Sequence, residues 1–249
     1  MSENVRTSVE GNVGLVEVTR GPHNFFDEGS LHDIGLALIA LDADEDVRSV
    51  VLCAEGKNFC AGADLRGVDR HGLRRVYRAA AAIFTTRKPI VAAIHGAAVG
   101  GGLGLALAAD FRVAAPGARF TANFARLGFH QGFGISVTLP NVVGHQKALD
   151  LLYTGRNVSA KEALQIGLVD RLAASDARAK AIEWATQIAG SGPLAVPSIR
   201  STMRRSISSQ VVAALDEEAT AQAALLGTAD LREGIAASIE KREPQFIGA

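Results

Sequence analysis

The stretch from Lys88 to Asp110 constrains this chain more than any other part of it. Its sequence is KPIVAAIHGAAVGGGLGLALAAD. The apolar, β-branched run Pro89 to Ile94 predicts a buried strand, and the run Leu103 to Ala109, which has no polar side chain, predicts a buried helix. Three consecutive glycines, Gly100 to Gly102, separate the two runs. The stretch therefore predicts a strand, a tight glycine turn and a helix in direct succession.

The glycine turn does not match three common glycine motifs. A Walker A loop needs Gly-Lys-Ser/Thr, whereas Leu103 follows Gly102, and Leu105 occupies the third glycine position of a dinucleotide fingerprint that starts at Gly100. The serine of an α/β-hydrolase nucleophile elbow is missing as well. Backbone N–H groups at a helix start attract negative charge. The motif alone therefore leaves two alternatives, an anion-binding turn without a nucleophile or close packing of a helix on a strand.

A second segment, Lys57 to Leu65 (KNFCAGADL), follows the predicted strand Val47 to Ala54. Together, FCAGADL and HGAAVGGGLGLALAAD resemble the crotonase superfamily, the enoyl-CoA hydratase/isomerase fold. The likeness continues through Ala160 to Asp170 (AKEALQIGLVD) and Glu240 to Phe246 (EKREPQF), and it covers nearly the whole chain in the right order and spacing. The resemblance implies an α/β fold, a crotonase-like ββα spiral with a helical C-terminal region.

The length of 249 residues suits one large domain or a domain with a helical appendage. We predict a crotonase-like spiral core over residues 1–190 and a helical C-terminal trimerisation region over residues 191–249. Helices of this region are predicted at about Leu194 to Ile207, Gln210 to Leu226 and Ala229 to Lys241. They are expected to pack on a neighbouring subunit rather than on their own core, and the family resemblance implies a homotrimer or a hexamer.

Local patterns predict several further elements. Val5 to Thr19 reads as a β-hairpin, Ser30 can cap a helix, and Ser159 with Glu162 forms a capping box. Phe111 to Ala114 predicts another strand. Strands that alternate with helices over short links favour an α/β architecture.

Charge and cysteine content exclude several function classes. Lys and Arg total 26, as do Asp and Glu, so the zero formal charge argues against a nucleic-acid surface. The N-terminal residues lack the pattern of a signal peptide, and no apolar run reaches membrane-spanning length without glycine or charge. Cys53 and Cys60 are interpreted as packed core thiols. We expect a cytoplasmic protein without nucleic-acid or membrane partners.

The resemblance also implies a substrate site. In the crotonase family the carbonyl oxygen of an acyl-CoA thioester lies between two backbone N–H groups, and the matching positions here are Ala61 and Gly101. The coenzyme A adenine would contact the backbone of Ala61, Gly62, Ala63, Asp64 and Leu65, and Lys241 would approach its phosphates. Asp64 can alternatively cap the following helix, and Lys241 can be a solvated surface side chain. Coenzyme A would enter as part of the substrate, with no separate cofactor and no metal.

The chain departs from the family at the positions that transfer protons. Gly104 and Phe124 match the two glutamates of the hydratases, Gly132 matches a carboxylate of dehalogenases and dienoyl isomerases, and Gln131 matches an aspartate of naphthoate synthases. Each acid–base group contributes about 10²–10⁴-fold to a rate, so ordinary hydration is expected to be poor. His130 and Gln131 are the candidate catalytic residues, because histidine accepts and donates protons near neutral pH. Phe124 is predicted to be a wall of the acyl pocket.

Two functional hypotheses follow from these patterns. The first is an acyl-CoA enzyme, a hydratase/isomerase-like lyase or isomerase that stabilises a thioester enolate. The second is a non-catalytic acyl-CoA-binding protein. Both would bind coenzyme A thioesters, but only the enzyme would consume one.

Overall fold

The computed structural model describes residues 3–64 and 69–249. The strands are β1 Val5–Glu10, β2 Val13–Val18, β3 Ser49–Ala54, β4 Ile90–Ile94, β5 Ala97–Val99, β6 Phe111–Ala114, β7 Arg119–Thr121, β8 Asn157–Ser159 and β9 Arg171–Leu172. The helices are α1 Glu28–Ala43, α2 Arg70–Phe84, α3 Gly101–Ala108, α4 Ile135–Val143, α5 His145–Thr154, α6 Ala160–Gln165, α7 Ala177–Ala189, α8 Ala195–Leu225 and α9 Ala229–Glu240. A 3₁₀ turn covers Ala125–Leu127.

The described strands form two sheets. The larger sheet has the order β1-β2-β3-β4-β6-β9, in which β1 and β2 are antiparallel and the other pairs are parallel. The smaller sheet has the order β5-β7-β8. Cys60 extends it through an isolated parallel bridge to Ala98. Successive chain passes therefore place one strand in the larger sheet and one short extended segment in the smaller sheet before a helix. This is the ββα spiral that the sequence resemblance implied.

Alternate residues of the larger sheet face different helices, as the two-residue period of a strand requires. Val50 and Leu52 of β3 face the main core, which also contains residues of α1, α2 and α3. Val51 and Cys53 face the opposite layer. There α7 packs on the sheet through the buried residues Ala177, Ala181, Ala185 and Ala189. The central part of the sheet is therefore covered on both faces, which explains why β3 and β4 are nearly continuous apolar runs, whereas the edge strand β1 is mostly exposed.

Most of the predicted local elements are confirmed, with two corrected caps. The hairpin turns at Gly11, whose φ of 60° suits glycine. Helix α1 is capped by Asp27 rather than by Ser30, which is the N3 partner in the same capping box. Helix α2 is capped by Asp69, so the alternative of Asp64 as its cap is wrong. Ser159 caps α6 by accepting a hydrogen bond from Glu162 N, which confirms half of the predicted capping box. The Glu162 carboxylate accepts from Arg156 instead of completing the box.

The C-terminal region differs from its prediction in helix number and in packing. The first two predicted helices are one continuous helix, α8, because no glycine or proline interrupts its residues 198–225. Val211, Leu215 and Ala219 of α8 are buried in the main core against this chain's own α2 and α4. The expectation that this region packs on a neighbouring subunit rather than on its own core is therefore wrong for the second half of α8. Leu194, Ile199 and Met203 near its start are exposed, and trimerisation stays a prediction.

None of the helices in the described ranges combines the length and the apolar character that a membrane crossing requires.

Candidate active site

The glycine turn begins where β5 ends. Gly100 adopts φ 54° and ψ −121°, and its N–H donates to the Thr121 carbonyl at 2.8 Å. Its carbonyl accepts hydrogen bonds from the N–H groups of Leu103 and Gly104. The N–H of Gly101, the first residue of α3, has no hydrogen-bond partner within the described part of the chain. The turn therefore presents a free amide donor at the positive end of a buried helix.

The segment Cys60 to Asp64 lies between two neighbours. Cys60 N donates to Ala97 O at 3.0 Å, and Cys60 O accepts from Val99 N at 3.0 Å. On the other side, Phe26 N donates to Gly62 O and Asp64 N donates to Phe26 O. This pairing bridges Phe26 to Ala63 in parallel, so the N–H of Ala63 itself points away from Phe26.

The two alanines of this segment differ in their backbone bonding. The N–H of Ala61 donates to the His23 carbonyl at 2.9 Å and is therefore occupied. The N–H of Ala63 has no hydrogen-bond partner among the described residues. The sequence-based assignment of the donor to Ala61 is inconsistent with this bonding. Of the two alanines, Ala63 is the one whose N–H is available, and the sequence could not show this because only the backbone pairing distinguishes the two alanines of FCAGADL.

Glycine is required in this turn by close approach as well as by backbone angle. A Cβ added at Gly101 would lie 2.5 Å from Phe26 Cζ, and one added at Gly102 would lie 2.1 Å from the Cys60 carbonyl oxygen. Real Cβ atoms essentially never lie so close to another heavy atom, whether of the backbone or of a side chain. These glycines are therefore compatible with both alternatives from the sequence, close packing and an anion-binding turn. The close approach that requires glycine also brings the segment around Ala63 next to the turn.

The position that matches the first hydratase glutamate is filled by another side chain. A Cβ added at Gly104 would lie 2.5 Å from the Cβ of Phe133, which is fully buried. Phe133 has a φ of 64°, an uncommon conformation for a non-glycine residue. Its ring packs edge-on against Phe26 with centroids 5.2 Å apart, and it also contacts Phe84. An aromatic ring thus occupies space that a residue larger than glycine at position 104 would need.

The other carboxylate positions are also closed. A Cβ added at Gly132 would lie 1.8 Å from the Tyr77 hydroxyl oxygen. That hydroxyl donates to Gln222 Oε1 at 2.7 Å. Burial raises the pKa of Tyr77 above its ordinary value, and the charge of Glu218 raises it further, so Tyr77 is a hydrogen-bond donor rather than a base. Phe124, at the second glutamate position, is 7% exposed, and its ring lies 3.8 Å from where a Cβ of residue 100 would be.

His130 and Gln131 lie together in the loop before α4 and are both half-buried. His130 Nδ1 lies 2.7 Å from the Gln131 carbonyl oxygen. Because a carbonyl only accepts, this contact places the proton of the neutral ring on Nδ1 and leaves Nε2 as an acceptor. The Gln131 amide donates to Ser136 Oγ at 3.1 Å. His130 can therefore accept a proton at Nε2, whereas the Gln131 amide has no such capacity.

Helix α8 holds this loop through two polar side chains that the sequence analysis missed. Glu218 accepts hydrogen bonds from Gly134 N at 2.7 Å and Ser136 N at 2.9 Å, and so caps the start of α4. Gln222 donates to the His130 carbonyl at 2.8 Å. Both side chains are buried. The sequence did contain a sign of this role. Glu218 and Gln222 lie on the same helical face as Val211 and Leu215, and polar residues on an otherwise apolar face indicate buried hydrogen bonds.

Three further residues from the sequence analysis, Cys60, Lys241 and Leu65, add little to the description of the site. Burial raises the pKa of Cys60 to about 12, which agrees with its interpretation as a packed thiol. Lys241 is exposed and adopts a left-handed conformation at the end of α9. Leu65 lies outside the described residues. In the described ranges, no group of three or more His, Cys, Asp or Glu side chains could hold a metal ion.

Comparison with known proteins gives a consistent result. A family model described as enoyl-CoA hydratase/isomerase matches residues 8–249. The chain is 31% identical to a crotonyl-CoA hydratase of Syntrophomonas wolfei over 258 aligned positions, which cover 98% of each protein. It is 32% identical to a peroxisomal Delta(3,5)-Delta(2,4)-dienoyl-CoA isomerase of Arabidopsis thaliana, with 98% of this chain and 96% of the relative covered.

Solved structures show the same similarity in three dimensions. An enoyl-CoA hydratase/isomerase from Pseudoalteromonas atlantica superposes with a TM-score of 0.88 at 32% identity. The match covers 98% of this chain and 100% of that structure.

Proposed function

The chain belongs to the enoyl-CoA hydratase/isomerase family, and within that family we propose that it is an acyl-CoA enzyme that stabilises a thioester enolate. The observation that carries the proposal is a pair of backbone N–H groups, at Ala63 and Gly101, that have no hydrogen-bond partner among residues 3–64 and 69–249. The thioester oxygen would accept from both groups. Ala63 takes the role that the sequence pattern assigned to Ala61.

The physical reason lies in the charge that develops on the thioester oxygen. Removing a proton next to the thioester, or adding a nucleophile to it, places negative charge on that oxygen. Amides that are already fixed stabilise this charge without reorganising, and removal of one such donor typically costs about 2.7–4 kcal/mol of barrier. Gly101 adds the positive end of α3.

The proposal excludes efficient ordinary hydration. Gly104, Phe124 and Gly132 supply no carboxylate, and the space beside them is filled by Phe133 and Tyr77. His130 is the proposed proton carrier, acting through Nε2. Gln131 is the weaker candidate, because an amide can orient a substrate or a water molecule but cannot carry a proton.

The coenzyme A part of the substrate is proposed to lie along the backbone of Ala61 to Asp64, with Leu65 continuing the segment and Lys241 reaching a phosphate. Phe124 would contact the acyl group. No separate cofactor is required, since coenzyme A arrives with the substrate. A homotrimer or hexamer remains our expectation for the assembly, and a lyase or an isomerase for the reaction class.

A second candidate function is non-catalytic binding of acyl-CoA. It is favoured by one observation, the aromatic side chains that fill the space at the carboxylate positions. Calorimetry with a panel of acyl-CoA thioesters, followed by product detection by mass spectrometry, separates the two candidates. Binding with turnover supports the enzyme, binding without turnover of any thioester supports the binding protein, and no binding contradicts both.

A further inference from the structure

A second group of charged residues lies away from the thioester site, where β3 and β4 begin. It surrounds a cavity of about 900 Å³ between the ends of α1 and α2 and the first half of α8. Six basic and three acidic side chains line it: Arg48, Arg87, Lys88, Arg200, Arg204 and Arg205, and Asp42, Asp44 and Glu45. The volume lies within the range of about 300–1,000 Å³ that small-molecule sites occupy.

Two arginines of this cavity share one carboxylate. Arg200 Nε lies 3.1 and 2.8 Å from the two oxygens of Asp110, and Arg204 Nη1 lies 3.0 Å from one of them. Asp110 also accepts from Ile90 N. Because one negative charge faces two guanidinium groups that are largely buried, the pair retains an excess of positive charge.

Lys88 adds a third buried cation without a carboxylate of its own. Its Nζ donates to the carbonyls of Leu41 and Asp44, at the end of α1. The nearby Asp42 carboxylate accepts instead from the backbone N–H groups of Arg87 and Lys88. Burial lowers the pKa of Lys88, as expected for an ammonium group whose hydration is incomplete.

Unused donors remain in the cavity. Arg204 Nε is buried and has no hydrogen-bond partner in the part of the chain that the structure describes. Arg87 and Arg205 are exposed. Arg87 Nη2 donates to the Asp42 carbonyl at 3.3 Å, but neither arginine forms an ion pair with a carboxylate of residues 3–64 or 69–249. A buried polar atom without a partner is rare in native proteins and often marks a missing water or ion.

The cavity also has an apolar part. Val47, Phe84, Pro193, Leu194 and Pro197 line it beside the basic groups. We propose that this cavity is a second ligand site, for an organic anion that joins a carboxylate or phosphate head to a short apolar body. The head binds Arg87, Arg204 and Arg205, and the apolar body lies against Phe84 and the two prolines.

This site is separate from the thioester site. Helix α3 starts with the free N–H of Gly101, and the carbonyl of its last residue, Ala108, accepts from Arg204 Nη2 at 3.0 Å. Eight helical residues span about 12 Å. The two sites therefore lie towards opposite ends of α3, and the second site does not depend on the proposed chemistry of the first.

Titration calorimetry tests the proposal with octanoate and octyl phosphate as probes and octanol as the neutral comparison. We expect saturable binding of at least one anionic probe at one site per chain. The double variant Arg87→Gln/Arg205→Gln should bind it at least tenfold more weakly. Arg78→Gln, an exposed arginine of α2 that does not line the cavity, is the matched control and should bind normally.

Four outcomes would overturn the proposal. Equal affinity for octanol would mean that the positive charge is irrelevant. Undiminished binding by the double variant would mean that the probe binds outside this cavity. Displacement of the probe by a saturating acyl-CoA would mean that it binds at the thioester site. Absence of binding, together with an altered sedimentation of the double variant, would assign the cavity to contact with a second copy of the chain. Acyl-CoA binding by every variant leaves the proposed function untouched in each case.

Discussion

Around the glycine turn, two backbone N–H groups are open to a ligand, whereas the space for acid–base side chains is filled. At Gly101 and Ala63 two N–H groups have no hydrogen-bond partner in the described part of the chain. At Gly104 and Gly132 the space beside the backbone is filled by Phe133 and Tyr77. The backbone donors of the proposed oxyanion site are open, whereas the space at two of the family's acid–base positions is filled. Binding and turnover must therefore be tested separately.

The largest expected effect is on hydration. Crotonyl-CoA should be hydrated far below the common enzyme range of about 1–10³ s⁻¹, because two groups that each contribute about 10²–10⁴-fold are absent at Gly104 and Phe124. Loss of the absorbance of the conjugated thioester measures the rate. A rate within the common range would show that an unrecognised side chain supplies the proton transfers.

The next effect concerns the N–H of Gly101. In a Phe26→Ala background, which removes the ring that a new Cβ would meet, Gly101→Ala keeps the N–H and Gly101→Pro deletes it. Proline is tolerated at the first position of a helix. We expect turnover of any thioester substrate to be about 10²–10³-fold lower in the proline variant than in the alanine variant. Similar turnover in two folded variants would remove Gly101 from the proposed oxyanion site.

A smaller effect is expected at His130. His130→Ala should lower kcat/KM by about 10²-fold or more while acyl-CoA affinity, measured by calorimetry, stays nearly unchanged. His130→Gln should lose activity comparably, because an amide cannot carry a proton. If both variants turn over substrate like the wild type, His130 has only a structural role and the proton carrier must be sought at Gln131 or a bound water.

The smallest effect tests the packing at Gly104. Gly104→Ala should lower the free energy of unfolding by about 1–3 kcal/mol, because its Cβ would meet that of Phe133. In a Phe133→Gly background the same substitution should have almost no effect. Gly117→Ala is the control, since no atom lies within 4 Å of its added Cβ, and denaturant unfolding is the measurement. Equal losses in both backgrounds would contradict the close contact between positions 104 and 133.

Much of the architecture was accessible from local patterns. The hairpin, the strand Phe111 to Ala114 and the start of α3 near Gly101 were all predicted, because hydrophobic periodicity and glycine act over a few residues. The resemblance in FCAGADL and HGAAVGGGLGLALAAD supplied the family, and the family model and the superposition confirm it. The caps at Asp27 and Asp69 were missed, since several nearby polar residues can cap a helix equally well.

The sequence by itself determined the class of fold, the glycine turn, and the absence of carboxylates at Gly104, Phe124 and Gly132. Only the tertiary structure decided that the Ala61 N–H donates to the His23 carbonyl, whereas the Ala63 N–H finds no acceptor among the described residues. It also decided that Phe133 and Tyr77 fill the vacated space and that Glu218 and Gln222 hold the loop of His130. These contacts join residues far apart along the chain. Local patterns specify which backbone groups need partners, but only packing specifies which of them find one.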